Sequence, residues 1–380
     1  MNILLITNLY PSYKNQSVKE VSYALHDFST EWKKNNNLIV IRLVNPAYKT
    51  IFSRKSLFPK LPYLFILDGI NIYNIKLFRF PKINVLFGIN IIKKLLKKLN
   101  FNPDVILSHM NDSYTTANKL SNFYKCKLVL GIHNSDLNVI KKRKYSKILS
   151  NCSHIACRSF PIKKRMINYF PEYEKKMIIA NSGINLSDIE KHEYFTQKIE
   201  NWKTKTKIIF ITVAILYKLK NIDITLDVLS EFKNFDWEYY IIGDGEKKEF
   251  LVSKTDELKL NNKVHFLGEK TRDEVLSHLK NTDIFIMVSA PETFGLAYLE
   301  AMAKGNIVVG CKDWGIDGII TDKKNGFLAE ARNKEQLKDI IQTIFSSSFE
   351  EKKRLLCETE QTILSNTREI AAENYLKAIS

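Results

Sequence analysis

At 380 residues, 45% hydrophobic and 11% aromatic, the chain is too long for one ordinary core and too apolar for disorder, so two domains are expected. Thirteen Gly and nine Pro exclude a collagen-like or low-complexity architecture. The net charge of +17 is uneven: residues 1–190 carry 30 Lys and Arg against 11 Asp and Glu, and residues 191–380 carry 28 against 30, so the halves face different partners.

The chain opens on Ile3–Thr7, an apolar run that predicts a buried parallel strand. Its apolar core is too short for a signal peptide. A loop containing Pro11 and a helix-like stretch from Val18 to Trp32 follow, then a strand at Leu38–Val44. Asp104–Ser108, Lys127–Gly131 and His154–Cys157 continue the strand series, with helical segments between them. Strands apolar on both faces, alternating with helices, predict an α/β domain with a parallel sheet.

The second half repeats the scheme. Strands are expected at Lys207–Ala214, Trp237–Gly243, Lys263–Gly268, Asp283–Ser289 and Asn306–Gly310. Helices are expected at Ile222–Phe232, Lys248–Leu258, Arg272–Lys280 and about Phe294–Lys304, the last closed by Gly305. The polar stretch Glu190–Thr206 reads as a linker, giving an α/β architecture of two Rossmann-like, doubly wound domains joined near residue 195. Five scattered cysteines without a CxxC pair argue against a disulfide framework or zinc site and suit a reducing cytoplasm. No window approaches 18 uninterrupted apolar residues, so no transmembrane helix is expected. The abundance of Ile, Asn and Lys points to a bacterial source.

Sheets of this kind bind ligands at the carboxyl ends of their strands, which directs attention to the loops after Ala214, Gly243, Gly268 and Ser289. The richest is Ser289-Ala-Pro-Glu292-Thr-Phe-Gly295-Leu-Ala-Tyr-Leu-Glu300. A helix starting near Phe294–Gly295 offers unpaired N–H groups and the positive end of its dipole to an anion. Glu300 lies on the order of 7–8 Å further along the axis, about the distance from a diphosphate to the ribose of its nucleoside. A carboxylate only accepts hydrogen bonds, so it suits paired hydroxyls: Glu300 on ribose, Glu292 on a sugar beyond the phosphates. An isolated pair at this spacing is more often a helix-start carboxylate and a solvent-facing residue. Here Glu300 sits among Leu296, Ala297, Leu299, Ala301 and Met302, where an unpartnered charge is costly.

The run PETFGLAYLEAMAKGNIVV, with Gly315-Ile-Asp-Gly318 and Asn325-Gly-Phe-Leu328, resembles the donor-binding half of GT-B-fold retaining glycosyltransferases, and more narrowly glycosyltransferase family 4. The resemblance extends through Val213–Asp223, Tyr240–Glu246 and Val264–Gly268 and, more weakly, over nearly the whole chain. It implies two Rossmann-like domains facing each other across a cleft. An acceptor domain would occupy 1–190 and a donor domain 191–365, with a C-terminal helix at 366–380 packing back on the first. It places donor-sugar recognition on Glu292, ribose recognition on Glu300 and diphosphate binding on the backbone of Phe294, Gly295 and Leu296. The family also sets an Arg and a Lys against the diphosphate. Lys220 matches the Lys, whereas Ile215 stands at the Arg position, so Lys220 would carry more of the leaving-group charge. Gly243, Gly268 and Glu269 would line the nucleotide.

In the first half, His133 of Gly131-Ile-His-Asn-Ser-Asp136 matches the family histidine that contacts the donor sugar near the reacting carbon, with Asn134 replacing the usual Gly. A lone His is more often structural. His109, Asp136 and Arg158 are weaker candidates, for acceptor contact, orientation and a phosphate respectively. The loop Asn8–Lys19 lacks the family's glycines, and Asn181-Ser-Gly183-Ile184 resembles a structural turn of the family. With no DxD pair, the helix start and Lys220 take the place of a metal ion. No cofactor is expected beyond a nucleotide-sugar co-substrate, UDP-linked by preference. No nucleophile stands out, which favours front-face transfer with retention.

The basic half carries Ile91-Ile-Lys-Lys-Leu-Leu-Lys-Lys-Leu99, an apolar stripe edged by four lysines, beside the aromatic stretch Leu57–Phe65 and the clusters Lys141–Lys144 and Lys163–Arg165. This suits an anionic membrane surface, on the cytoplasmic inner face, and a lipid-linked saccharide acceptor of surface polysaccharide, lipopolysaccharide or capsule assembly. The stripe also reads as core with solvated lysines. No nucleic-acid-binding module is recognisable, so no nucleic-acid partner is expected. A nucleotide-sugar epimerase or hydrolase, and a non-catalytic partner, remain the alternatives.

Overall fold

The structure, a computed structural model, describes residues 1–13, 16, 21, 23–44, 62–76, 84–141 and 145–380, with side chains from residue 88 in the helix that begins at 84. It forms two compact units: Met1–Arg158 with Ile162–Ser182 and Ala371–Ser380, and Ser159–Pro161 with Gly183–Ile370.

In the first unit, β1 (Asn2–Thr7), β2 (Asn37–Val44), β3 (Leu64–Leu67), β4 (Ile70–Lys76), β5 (Val105–His109), β6 (Lys127–Ile132), β7 (His154–Cys157) and β8 (Met177–Ile179) form one sheet. Its order is β3-β4-β2-β1-β5-β6-β7-β8. Among the described residues only the β3–β4 hairpin is antiparallel, turning at Asp68 and Gly69, both at positive φ. Alternate residues of each strand enter opposite cores. Leu4, Ile6, Ile39 and Ile41 face one; Ile3, Leu5, Leu38 and Val40 face the other. The second core is completed by the C-terminal helix, Arg368–Ile379, through Ala372, Tyr375 and Ile379. There the Trp32 indole donates to the Ala372 carbonyl at 3.1 Å.

The second unit holds β9 (Lys207–Val213), β10 (Asp236–Ile242), β11 (Val264–Gly268), β12 (Ile284–Ile286), β13 (Ile307–Cys311) and β14 (Phe327–Ala329). All run parallel, in the order β11-β10-β9-β12-β13-β14. The strand order reverses between β9 and β12, so the loops leaving these two strands flank the topological switch point, where such sheets hold ligands. The β1/β5 boundary is the equivalent point of the first unit.

One sequence expectation needs correction. The linker read at Glu190–Thr206 is largely a helix, His192–Asn201, because Phe195, Ile199 and Trp202 fall on one face and are buried. This helix lies within the long segment of the second unit, Gly183–Ile370. The apolar stripe of helix Asn84–Lys98 is mostly core: Ile92, Leu95 and Leu96 are buried on the sheet, and only Ile91 and Leu99 are exposed. No helix among the described residues is long and apolar enough to cross a membrane. Residues 57–61 and 142–144, and residues 14, 15 and 17–19 of the Asn8–Lys19 loop, lie outside the described residues.

Candidate active site

The loop after β9 runs through a short turn, Lys218–Lys220, into Asn221, whose left-handed backbone (φ 52°) redirects the chain into helix Ile222–Leu229. Two bonds tie it to the loop after β12: the Asn221 amide donates to the Val288 carbonyl at 2.7 Å, and the Ala290 N–H donates to Leu219 at 3.0 Å. This stitching brings together Lys220 and Glu292, 72 positions apart, with Nζ 2.7 Å from Oε2. Glu292 also accepts from the Ser289 hydroxyl and the Thr293 N–H, each at 3.1 Å. Ile215, at the family's Arg position, is half-buried in the same loop.

Helix Leu296–Ala303 starts four residues after Glu292, a little later than the expected Phe294. Gly295, its N-cap, has φ +83°, and a Cβ there would lie 2.5 Å from the Tyr298 ring, so only glycine lets the chain enter the helix this way. Phe294 is buried and anchors the turn, while Gly295, Leu296 and Ala297 are partly exposed. Among the described residues the Leu296 and Ala297 N–H groups have no protein acceptor. The tip is thus open, with donors and dipole available to an anion. Gly305 closes the helix as expected, with Asn306 N–H bonded back to Ala301.

Glu300 lies on the first full turn beyond the tip. Arg272 Nη2 contacts its Oε1 at 3.1 Å and Asp188 Oδ2 at 2.7 Å. Burial raises the Glu300 carboxyl above the usual carboxylate range, and the Arg272 guanidinium opposes that rise. Neither Arg272 nor Asp188 was singled out by sequence. The one available signal was a cation in the first turn of helix Arg272–Lys280, where the dipole disfavours it.

The remaining predicted residues of this unit lie one and two strands over. Gly243 follows β10 at φ +129°, and a Cβ there would overlap the Ala214 carbonyl at 1.9 Å. Its N–H donates to Gly268 at 2.8 Å. Gly268 has positive φ with open space where a side chain would be, and Glu269 beside it is exposed. Among the described residues no cluster of three or more His, Cys, Asp or Glu could hold a metal ion.

In the first unit, His133 follows β6 and is buried, its Nε2 3.2 Å from His109 Nδ1; His109 Nε2 lies 3.2 Å from the Tyr375 hydroxyl. A Cβ at Gly131 would overlap the His109 ring, which explains that glycine. Asp136, fully buried, accepts from the His133 N–H at 2.8 Å, from the Asn111 N–H and amide, and from the Tyr114 hydroxyl. It therefore fixes the loop that carries His133. The Arg158 reading is corrected: its guanidinium is buried and donates to the Ala180 carbonyl and the Ser182 hydroxyl, so it is occupied inside the fold.

Burial, with Arg158 nearby, lowers the His133 pKa from 6.5 to about 3, and burial lowers His109 as well. The folded imidazoles stay neutral where the unfolded chain takes up protons. Stability from this source is therefore full above pH 6.5 and declines as pH falls from 6.5 toward 3. Thermal denaturation across that range should show the melting temperature dropping more steeply for the wild type than for His133→Asn.

On the basic half, a cavity of about 400 Å³ is lined by Lys93, Lys94, Lys97, Asn100, Phe123 and Tyr124, among others. Lys93 Nζ lies 3.4 Å from the centre of the exposed Phe123 ring. Among the described residues no carboxylate lines the cavity.

Residues 195–361 match the family described as glycosyl transferases group 1. The alpha-monoglucosyldiacylglycerol synthase of Acholeplasma laidlawii is 30% identical over 198 residues, 50% of this chain and 49% of that protein. The O-antigen biosynthesis glycosyltransferase WclY of Escherichia coli is 29% identical over 194 residues, 49% of this chain and 54% of that protein. The chain spans about half the length of these curated relatives. Anabaena HepE, solved in complex with UDP, superposes with a TM-score of 0.74 over 99% of both chains at 16% identity, which establishes a shared GT-B fold.

Proposed function

We propose that this chain, a member of the glycosyl transferases group 1 with the two-domain GT-B fold, moves a sugar from a nucleoside-diphosphate sugar to a lipid-linked or surface-polysaccharide acceptor. One observation carries the reading: Glu292 with Lys220 on one side, and Glu300 on the other, bracket an open helix tip at a topological switch point. The Phe294–Ala297 backbone takes the diphosphate, Glu300 the ribose and Glu292 the sugar. Lys220 then neutralises the charge that develops on the leaving diphosphate. UDP is the preferred nucleotide, supported by the UDP-bound state of the HepE fold relative.

The glycosidic bond to the diphosphate breaks as the acceptor oxygen attacks from the same face, giving retention. The acceptor proton passes to a diphosphate oxygen. Helix tip and Lys220 supply the electrophilic stabilisation without a metal. The family resemblance assigns His133, kept neutral by burial, to the donor sugar near the reacting carbon. The lysine-rich first unit holds the enzyme on the inner face of the cytoplasmic membrane, where a lipid-linked acceptor is found. A relative named for making a glycosyldiacylglycerol supports that placement.

Incubating the protein with UDP- and GDP-sugars, with and without bacterial membrane extract and with EDTA, tests the reading. A transferase releases nucleotide and labels the lipid fraction only with extract, and EDTA leaves the rate unchanged. Turnover without extract indicates a hydrolase or epimerase, and no turnover in any arm a non-catalytic partner. For the membrane contact, Lys94→Ala with Lys97→Ala should lower partition onto phosphatidylglycerol vesicles roughly 25-fold, at ~1 kcal/mol per lysine. The charge-matched pair Lys147→Ala and Lys175→Ala, also exposed, should lower it much less in co-sedimentation.

A further inference from the structure

Arg272 occupies the first position of helix Arg272–Lys280, whose start already carries Asp273, Glu274 and a Thr271–Glu274 capping box. Acidic residues belong there; a cation opposes the dipole at a cost of about 0.3–1 kcal/mol. A residue held against its local preference has a tertiary reason, and here it is visible. One guanidinium nitrogen, Nη2, reaches Asp188 Oδ2 at 2.7 Å and Glu300 Oε1 at 3.1 Å. Asp188 belongs to a separate short turn, Leu186–Asp188, capped by the Asn185 side chain, so it is a fixed anchor. The second oxygen of Glu300, Oε2, bonds to nothing among the described residues. The Glu300 side chain is mostly buried, whereas Arg272 is nearly half exposed.

We propose that Arg272, anchored by Asp188, is a positioning residue for donor recognition: it holds Glu300 by one oxygen and leaves the other to accept from a ribose hydroxyl. The inference deepens the donor-site reading above and rests on it. Burial drives a carboxylate toward its protonated form; Arg272 opposes this most and Arg368 more weakly, so without Arg272 the Glu300 carboxyl would hold its proton more readily and lose the contact that fixes its last torsion. A protonated carboxyl would offer the ribose a donor in place of an acceptor. Asp188 keeps the guanidinium from swinging away into solvent. Arg272 therefore opposes the protonation of Glu300 and aims its free oxygen, without itself touching the nucleotide.

The experiment is a binding cycle by isothermal titration. UDP and GDP, with their 2′,3′-dideoxy analogues, are titrated into the wild type, Arg272→Gln and Glu300→Gln. In the wild type, loss of the ribose hydroxyls should weaken binding roughly 10- to 100-fold, the worth of a hydrogen bond to a charged group. In Arg272→Gln the ribonucleotide should bind more weakly while the dideoxy analogue is little changed, so that the ratio between them shrinks toward one, as in Glu300→Gln. Melting temperatures are measured alongside, and Asp188→Asn should shift the ratio in the same direction. Equal weakening of both ligands in Arg272→Gln, or an unchanged ratio, overturns the proposal while leaving the donor site in place. Failure of the wild type to bind either nucleotide overturns the donor-site reading, and this inference with it.

Discussion

Replacing Lys220 by Ala should lower kcat about a hundredfold, with a much smaller change in the donor KM. The magnitude follows from removing one preorganised donor from developing anionic charge, typically ~10²–10³ in rate. The position of Lys220 makes the expectation specific. Its ammonium lies on Glu292 at 2.7 Å, and Glu292 retains two further partners, Ser289 and the Thr293 N–H, once the lysine is gone. The carboxylate should therefore stay in place to hold the sugar, and ground-state binding should survive while the leaving group loses its cation. The Arg position of the family is Ile215, which leaves Lys220 without that substitute in the loop. Steady-state kinetics on both variants, Lys220→Ala and Lys220→Arg, separate the effects, the second recovering part of the rate. An unchanged kcat removes Lys220 from the chemistry.

Glu300→Ala should act in the opposite sense, weakening donor binding roughly 10- to 100-fold with a smaller effect on kcat, because ribose hydroxyls are held equally in ground and transition states. The variant should be folded: the side chain leaves one guanidinium partially unpaired, but Arg272 keeps Asp188. A pH dependence follows from the burial that raises the Glu300 carboxyl. Because the raised group takes its proton at higher pH than an ordinary glutamate, donor affinity should begin to fall on mild acidification. In Glu300→Gln that acid limb should disappear. Fluorescence or calorimetric titration of the nucleotide over a pH series rising from about 4.5, the ordinary carboxylate value, reads it directly.

The sheets were legible because parallel strands buried on both faces are written as unbroken apolar runs, as in Ile3–Ile6 and Ile208–Ile211. The hairpin β3–β4 was not. Leu64–Leu67 is a four-residue edge strand with alternate residues exposed, inside a stretch whose aromatics suggested a surface role. Helix His192–Asn201 was hidden by its composition: its Lys and Glu residues outweighed the 195, 199, 202 spacing of Phe, Ile and Trp. Lys198 of that helix is itself buried, capping carbonyls of Thr282 and Lys304 at 2.7 Å, which a polar reading cannot anticipate.

Of the site, the contiguous part was readable. Gly295, the helix start and Glu300 are set by local spacing. The pairings were not, because Lys220 meets Glu292 over 72 positions and Arg272 meets Asp188 over 84. Such contacts depend on which strands become neighbours, and here β12 inserts beside β9. Arg158 failed for a related reason: its position after β7 suggested a ligand, while the turn at Ala180–Ser182 supplies its acceptors.

The most direct test is a crystal structure of the chain with a nucleoside diphosphate bound. The phosphates should lie within hydrogen-bonding distance of the N–H groups of Leu296 and Ala297, with the ribose on Glu300 Oε2 and Lys220 turned toward the terminal phosphate. A nucleotide seated away from that helix tip, or one whose ribose leaves Glu300 untouched, contradicts the account.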